Sequence, residues 1–263
     1  MDRLSWPTCI LLGILLGLGA VAAQRTEADR TATVTADGAP QQPATSGDDT
    51  SSRSDAGSAG DASDVAPDTG RKDNYTVTLT FDDGPHPTYT PEVLDLLEQY
   101  DATAVFCMVG KEAAAHPQLV RKVVAAGHSL CNHSYTHDEQ LADRTADRIK
   151  QEISKTAKAL ETAVDDADVR YFRQPGVHVQ PQVEPIAESF DLAPLNWTID
   201  PRDWSRPGTE SIVQGVLSEL RPGAIVLLHD GGGDRSQTVA ALEQILSGID
   251  LAGYSYVVPG ERP

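Results

Sequence analysis

Residues 75–85 read YTVTLTFDDGP, and this stretch decides how the rest of the chain is read. Tyr75–Phe81 is β-branched and aromatic, the composition of a strand. Asp82 and Asp83 follow at once, and Gly84-Pro85 turns the chain. Adjacent residues leaving a strand point in different directions, so one carboxylate can face a metal while its neighbour faces a substrate water. Taken alone, Asp-Asp-Gly-Pro is also simply a good turn, so its meaning depends on what the other strands end in.

Outward from this unit the chain alternates. Pro91–Tyr100 reads as a helix, with proline suited to its first position and Val93, Leu96 and Leu97 on one face. Ala104–Val109 is a strand, Pro117–Ala126 a helix ended by Gly127, and His128–Cys131 a short strand. Thr145–Val164 is the longest helix, with a stripe of Ile149, Ile153, Leu160 and Val164. Strands are expected near Val169–Phe172 and Leu195–Thr198, then a helix over Glu210–Leu220. Ala224–Leu228 is a continuous apolar run, as in a strand buried on both faces. Helix Thr238–Leu246 and strand Tyr254–Val258 finish the chain. About seven β units separated by helices, in about 190 residues, predict an α/β fold: a parallel sheet closed into a distorted (β/α) barrel. There is no internal repeat, no GxGxxG and no phosphate-binding loop, and Gly231–Gly233 reads as a flexible loop. A nucleotide cofactor is therefore not expected.

In such a barrel, functional residues gather at the C-terminal ends of the strands. Asp82 and Asp83 follow the first strand, His133 and His137 the third, Arg173 the fourth, Asp200 and Asp203 the fifth, and His229 the sixth. HSYTH (His133–His137), if wound as a helical turn, sets two imidazoles on one face at i and i+4. Two histidines and one carboxylate with open positions recur in catalytic metal sites, and neutral imidazole suits zinc. His229 fits a general acid near neutral pH. Arg173, facing carboxylates, fits a residue that orients one of them by a forked charge-assisted bond, although an ordinary surface ion pair is the plain alternative. The DPRDW segment (Asp200–Trp204) offers one or two carboxylates to orient His229. Trp204 reads as core or pocket wall, with sugar stacking as its alternative. His86, His116, His128 and His178 lack comparable company and read as surface or structural residues.

The remaining sequence bounds location and partners. The formal net charge is −18, which argues against nucleic acid. Cys9–Ala23 is an apolar run too short for a typical membrane span, and Ala20, Ala22 and Ala23 match a signal-peptidase site. Residues 1–23 are thus expected to be a signal peptide, or else an N-terminal anchor, and the protein to be secreted or held at the cell envelope. Cys9 opens the run, which disfavours a lipoprotein cleavage site. Residues 24–72 are rich in Ala, Asp, Ser, Thr, Gly and Pro, without aromatics or apolar periodicity, and read as a flexible low-complexity linker. Residues 73–263 are the catalytic domain. Cys107 and Cys131 remain after signal removal; they are either a disulfide or two small buried hydrophobes.

The chain from about Tyr75 to Val258 resembles the polysaccharide deacetylases of carbohydrate esterase family 4, the nodulation-protein-B-like domain. Five motifs carry the resemblance in order: TFDDGP (Thr80–Pro85), HSYTH (His133–His137), RQPG (Arg173–Gly176), DPRDW (Asp200–Trp204) and LLHD (Leu227–Asp230). It implies a distorted barrel of seven or eight β/α units. It implies one divalent metal, zinc or alternatively cobalt or another divalent ion, on Asp83, His133 and His137. Asp82 matches the general base, His229 the general acid, Arg173 the residue orienting Asp82, and Asp203 the one tuning His229. Pro175, Gly176, Trp204, Leu227 and Asp200 match the substrate pocket, with the Gly176 N–H as oxyanion donor. Gly176 departs from the family, which often has an aromatic residue there, so the sugar-facing wall is altered. Cys107 and Cys131 resemble a pair in some actinobacterial members, which favours the disulfide. The implied partner is an acetylated polysaccharide, and a monomer is expected. Peptidoglycan is the leading substrate. Chitooligosaccharide or acetylxylan is the alternative, and a catalytically silent carbohydrate-binding module is a third reading, disfavoured because base and ligands are intact.

Overall fold

A computed structural model describes residues 75–260; the signal peptide and linker expected over residues 1–72 lie outside them. Seven strands form one parallel sheet. They are β1 (Thr76–Asp82), β2 (Ala104–Met108), β3 (Ser129–Asn132), β4 (Val169–Phe172), β5 (Ala193–Pro194), β6 (Ala224–His229) and β7 (Ser255–Tyr256). Their spatial order is β5-β4-β3-β2-β1-β6, with β7 paired to the start of β1. The helices are α1 (Tyr89–Gln99), α2 (Gly110–Ala115), α3 (Pro117–Ala125), α4 (Ala146–Ala163), α5 (Glu184–Glu188), α6 (Thr209–Leu217) and α7 (Ser236–Leu251).

The sheet curls, and the period of β1 shows how its two faces divide. Val77, Leu79 and Phe81 join the main core with Val93 and Leu97 of α1 and Leu242 and Ile245 of α7. Thr78, Thr80 and Asp82 take the alternate face. There a smaller core fills the barrel, from Val105, Cys107, Cys131, Tyr171, Leu195 and Val258. Cys107 and Cys131 are direct partners across β2 and β3, with Cα atoms 4.1 Å apart, and they form a disulfide. Strand register thus decides what spacing along the chain left open.

Closure differs from expectation. Leu195–Thr198 is not a strand; β5 is the preceding pair Ala193–Pro194. The residues after it cross the gap between the two sheet edges. The Leu195 N–H donates to the Phe172 carbonyl at 2.9 Å, and the Leu227 N–H to the Ile199 carbonyl at 2.9 Å. The segment pairs with β4 at one end and β6 at the other because it must span a gap rather than lie beside one strand.

Other boundaries shift by a few residues. Helix α1 starts at Tyr89, so Pro91 is its third residue rather than its first, still within the turn whose N–H groups lack helical partners. Helix α7 runs on to Leu251, burying Ile245, Leu246 and Ile249. Helices α2 and α5 have only 6 and 5 residues, too few to show apolar periodicity. Among the described residues, no helix is long and apolar enough to cross a membrane.

Candidate active site

The C-terminal ends of the strands open into one cavity of about 710 Å³. Strand register assembles its floor. Asp82 ends β1 and is the direct partner of His229, which ends β6. Two residues read as base and acid are therefore neighbours across a single ladder, although 147 positions separate them in the chain.

Asp82 is held by Arg173, which has no exposed surface. Arg173 Nη1 donates to Asp82 Oδ1 at 2.7 Å and to Thr80 Oγ1 at 2.8 Å, and Nε donates to the Leu195 carbonyl at 2.8 Å. The expected fork is thus corrected to Nη1 alone, shared by two acceptors; Nε is spent on the segment that closes the barrel, and Nη2 is buried with no hydrogen-bond partner. A surface ion pair is excluded by the burial. The Trp197 ring lies 5.6 Å from the guanidinium.

Asp83 leaves the strand with φ +72° and turns towards two imidazoles. Its Oδ1 lies 3.4 Å from His133 Nε2 and 3.0 Å from His137 Nε2. His133 and His137 do not sit on a helical turn. Ser134 and His137 are left-handed, at φ +60° and +57°, so the loop brings the rings together by reversing direction. The loop is pinned by Glu152, buried on α4. Glu152 Oε2 accepts the N–H groups of Tyr135 and Thr136 at 2.8 and 2.7 Å and the Thr136 hydroxyl at 3.1 Å. Asn132 Oδ1 accepts the Ser134 N–H at 3.1 Å.

One ligand atom from each of Asp83, His133 and His137 lies within 4.8 Å of the others. The arrangement fits a divalent ion. His133 Nδ1 is 2.8 Å from the Arg173 carbonyl, which only accepts, so Nδ1 carries the hydrogen and the lone pair of Nε2 faces Asp83. Asp83 Oδ1 is buried with no hydrogen-bond partner. Acceptors facing one another in a buried site are what a cation satisfies. Burial alone would raise the Asp83 carboxyl; positive charge beside it, on protonated imidazoles in the absence of a cation, holds it well below the usual carboxylate range.

His229 is oriented by Asp203 alone. Its Nδ1 is 2.8 Å from Asp203 Oδ1, and its backbone N–H donates to Oδ2 at 2.9 Å. Thr238 Oγ1 donates to the same Oδ2 at 2.9 Å. Burial works against a charge on His229, but the hydrogen bond and charge of Asp203, with Asp82 and Asp83 behind it, push the imidazole up to about 9. Asp200 does not share this work; it accepts the Arg202 N–H at 2.8 Å and lines the cavity.

Of the remaining pocket residues, Gly176, Trp204 and Leu227 line the cavity, whereas Pro175 is buried and takes no part in its wall. Trp204 is 46% exposed, with the Arg202 guanidinium 5.0 Å from its ring, so it is a rim residue and not core. Gly176 has φ +74°, a conformation that disfavours a side chain.

The cavity also contains residues that the sequence does not mark. Trp197, Glu139, Lys111, Glu112, His86 and Arg235 line it. Glu152 left a faint signal: it is a charged residue on the buried stripe of α4, beside Ile149 and Ile153. Asp230, fully buried, packs against Gly84, where an added Cβ would lie 2.5 Å from its carboxylate, and it accepts from Thr90 Oγ1. Burial pushes Asp230 up to about 7.

Residues 69–195 match the family model of polysaccharide deacetylases. A chitooligosaccharide deacetylase of Sinorhizobium fredii is 40% identical over 189 residues, 68% of this chain and 87% of that protein. The chain belongs to the polysaccharide deacetylase family. A peptidoglycan-N-acetylglucosamine deacetylase of Bacillus cereus is 42% identical over 187 residues, 70% of this chain and 86% of its own. Among solved structures, a family 4 carbohydrate esterase of Streptomyces lividans in complex with acetate superimposes with a TM-score of 0.65 at 32% identity, over 71% of this chain and 94% of that one. These likenesses agree with the curled parallel sheet and with a hydrolase.

Proposed function

We propose that this deacetylase removes N-acetyl groups from N-acetylglucosamine or N-acetylmuramic acid residues of peptidoglycan, outside the cytoplasm, as a zinc-dependent monomer. The observation that carries the reading is the convergence in one cavity of a three-residue metal site, a carboxylate held by a buried arginine, and a histidine held by a buried carboxylate. The apolar run over residues 9–23 and the polar linker support an envelope location. The likeness to the Bacillus cereus enzyme supports the substrate. The likeness to the Sinorhizobium fredii enzyme favours a second reading, chitooligosaccharides.

Asp83, His133 and His137 would hold a divalent ion, which when bound would supply Lewis-acid polarisation of the acetyl carbonyl and acidification of a water. Asp82, fixed by Arg173, takes the proton from the attacking water. The Gly176 N–H has no acceptor among the described residues, lines the cavity, and is available to the developing oxyanion. His229 carries its transferable proton on Nε2, because Nδ1–H is committed to Asp203, and it protonates the departing amine. The products are acetate and a free amino sugar.

Acetate release by the full chain from peptidoglycan, chitopentaose and acetylxylan, with zinc and with chelator, tests the proposal. Chelator-sensitive release from peptidoglycan is expected. Release only from chitopentaose selects the second reading, and unchanged turnover in His133→Ala or Asp83→Ala refutes the metal site.

A further inference from the structure

His86 follows the metal-binding turn and precedes α1, and no function is yet attached to it. Its Nδ1 accepts the backbone N–H groups of Thr88 at 3.2 Å and Tyr89 at 3.3 Å. Two donors aimed at one ring nitrogen require its lone pair, so the ring hydrogen sits on Nε2. The ring is also fixed in space. It stacks on Tyr89 with centroids 4.7 Å apart, and the Tyr89 hydroxyl donates to Asp234 at 3.0 Å. The backbone is tied as well, with the His86 N–H donating to Thr90 Oγ1 at 2.7 Å.

His86 lines the catalytic cavity, and its Nε2 has no protein partner among the described residues. Five side chains around that cavity, Asp82, Asp83, Glu112, Glu139 and Asp200, are carboxylates, which as anions only accept. An oriented donor with no protein acceptor, in a cavity rich in acceptors, suits a ligand with acceptor oxygens of its own. A pyranose chain has these in its hydroxyl, ring and glycosidic oxygens.

We propose that His86 is a substrate-positioning residue whose Nε2–H donates to a sugar oxygen of the polysaccharide beside the reacting acetyl group. The inference rests on the deacetylase reading above and adds a specificity contact to it. The alternative, that His86 only caps α1, makes a different prediction for one substitution. In His86→Asn the short side-chain oxygen can still accept the Thr88 and Tyr89 N–H groups, since asparagine is a strong capping residue, but the donor reaching the cavity is lost.

The test compares wild type and His86→Asn as zinc-loaded full chains, by acetate release from chitopentaose and from 4-nitrophenyl acetate, which has no sugar. Losing one net hydrogen bond predicts a roughly tenfold rise in KM for chitopentaose with kcat little changed, and unchanged turnover of the ester. An unchanged KM for chitopentaose overturns the proposal. So does an equal loss on both substrates with a lowered Tm, which is what a purely structural cap would give. If wild type releases no acetate from chitopentaose, the second substrate reading fails separately. The dissociation constant for chitopentaose then decides: a tenfold weakening in His86→Asn supports the contact, and equal affinity, or no binding by either protein, overturns it.

Discussion

Asp203→Asn tests the acid half of the site most sharply. Asparagine keeps the shape of Asp203 and can still accept from the His229 backbone N–H and the Thr238 hydroxyl, so the fold around it is expected to survive. What it removes is the negative charge 2.8 Å from His229 Nδ1. In the native site that charge outweighs burial and holds the imidazole up to about 9. Without it, burial is opposed only by the weaker charges of Asp82 and Asp83, and the imidazole falls towards its ordinary value of about 6.5. A raised value means the protonated acid is present below it and lost as pH climbs through it, so the effect appears on the alkaline limb of kcat/KM. At pH 8 about nine-tenths of the native imidazole is protonated, against roughly 3% in the variant, a ~30-fold loss; at pH 6 the two differ by less than a factor of about two. The same bound dication sits in both proteins and lowers both limbs together, so the difference remains. The assay is acetate release from pH 5.5 to 10 at saturating zinc. A loss of equal size at every pH would refute the reasoning, since Asp203 would then serve only to position the ring. An unmoved alkaline limb would refute His229 as the acid.

Arg173→Leu leaves Asp82 buried without its partner, so it is expected to abolish turnover and to destabilise by about 3–5 kcal/mol in urea denaturation. Glu152→Ala releases the Tyr135 and Thr136 N–H groups that hold the histidine loop, and zinc affinity in a competition titration should fall by about 10–100-fold. Replacing Cys107 and Cys131 with alanine opens a loop with a sequence separation of 24, which predicts a loss of about 3 kcal/mol with the active-site distances intact, read as a lowered Tm with near-native kcat.

Much of this protein is legible along the chain. Strand ends carry the chemistry of a β/α barrel, so TFDDGP, HSYTH, RQPG, DPRDW and LLHD announce both the fold and the site. The long apolar stripe of α4 is a matter of local periodicity, and the sequence shows it plainly. By itself the sequence determined the alternation of elements and marked the candidate ligands, acid and base, because these depend on residue type and on position relative to a strand end. Only the tertiary structure decided the rest. The HSYTH loop has to reverse through left-handed residues to face Asp83, and a helical turn has the same spacing. Glu152 looks like one more helical carboxylate until α4 packs beneath that loop. Cys107 and Cys131 become bonding partners through the register of β2 against β3. Residues 195–199 close the barrel because the curl of the sheet leaves a gap for them to span, and that same crossing takes the Nε of Arg173, so that Asp82 is held through Nη1. Each of these depends on where distant segments meet in space, which is set by packing and by strand register rather than by the residues nearest in the chain.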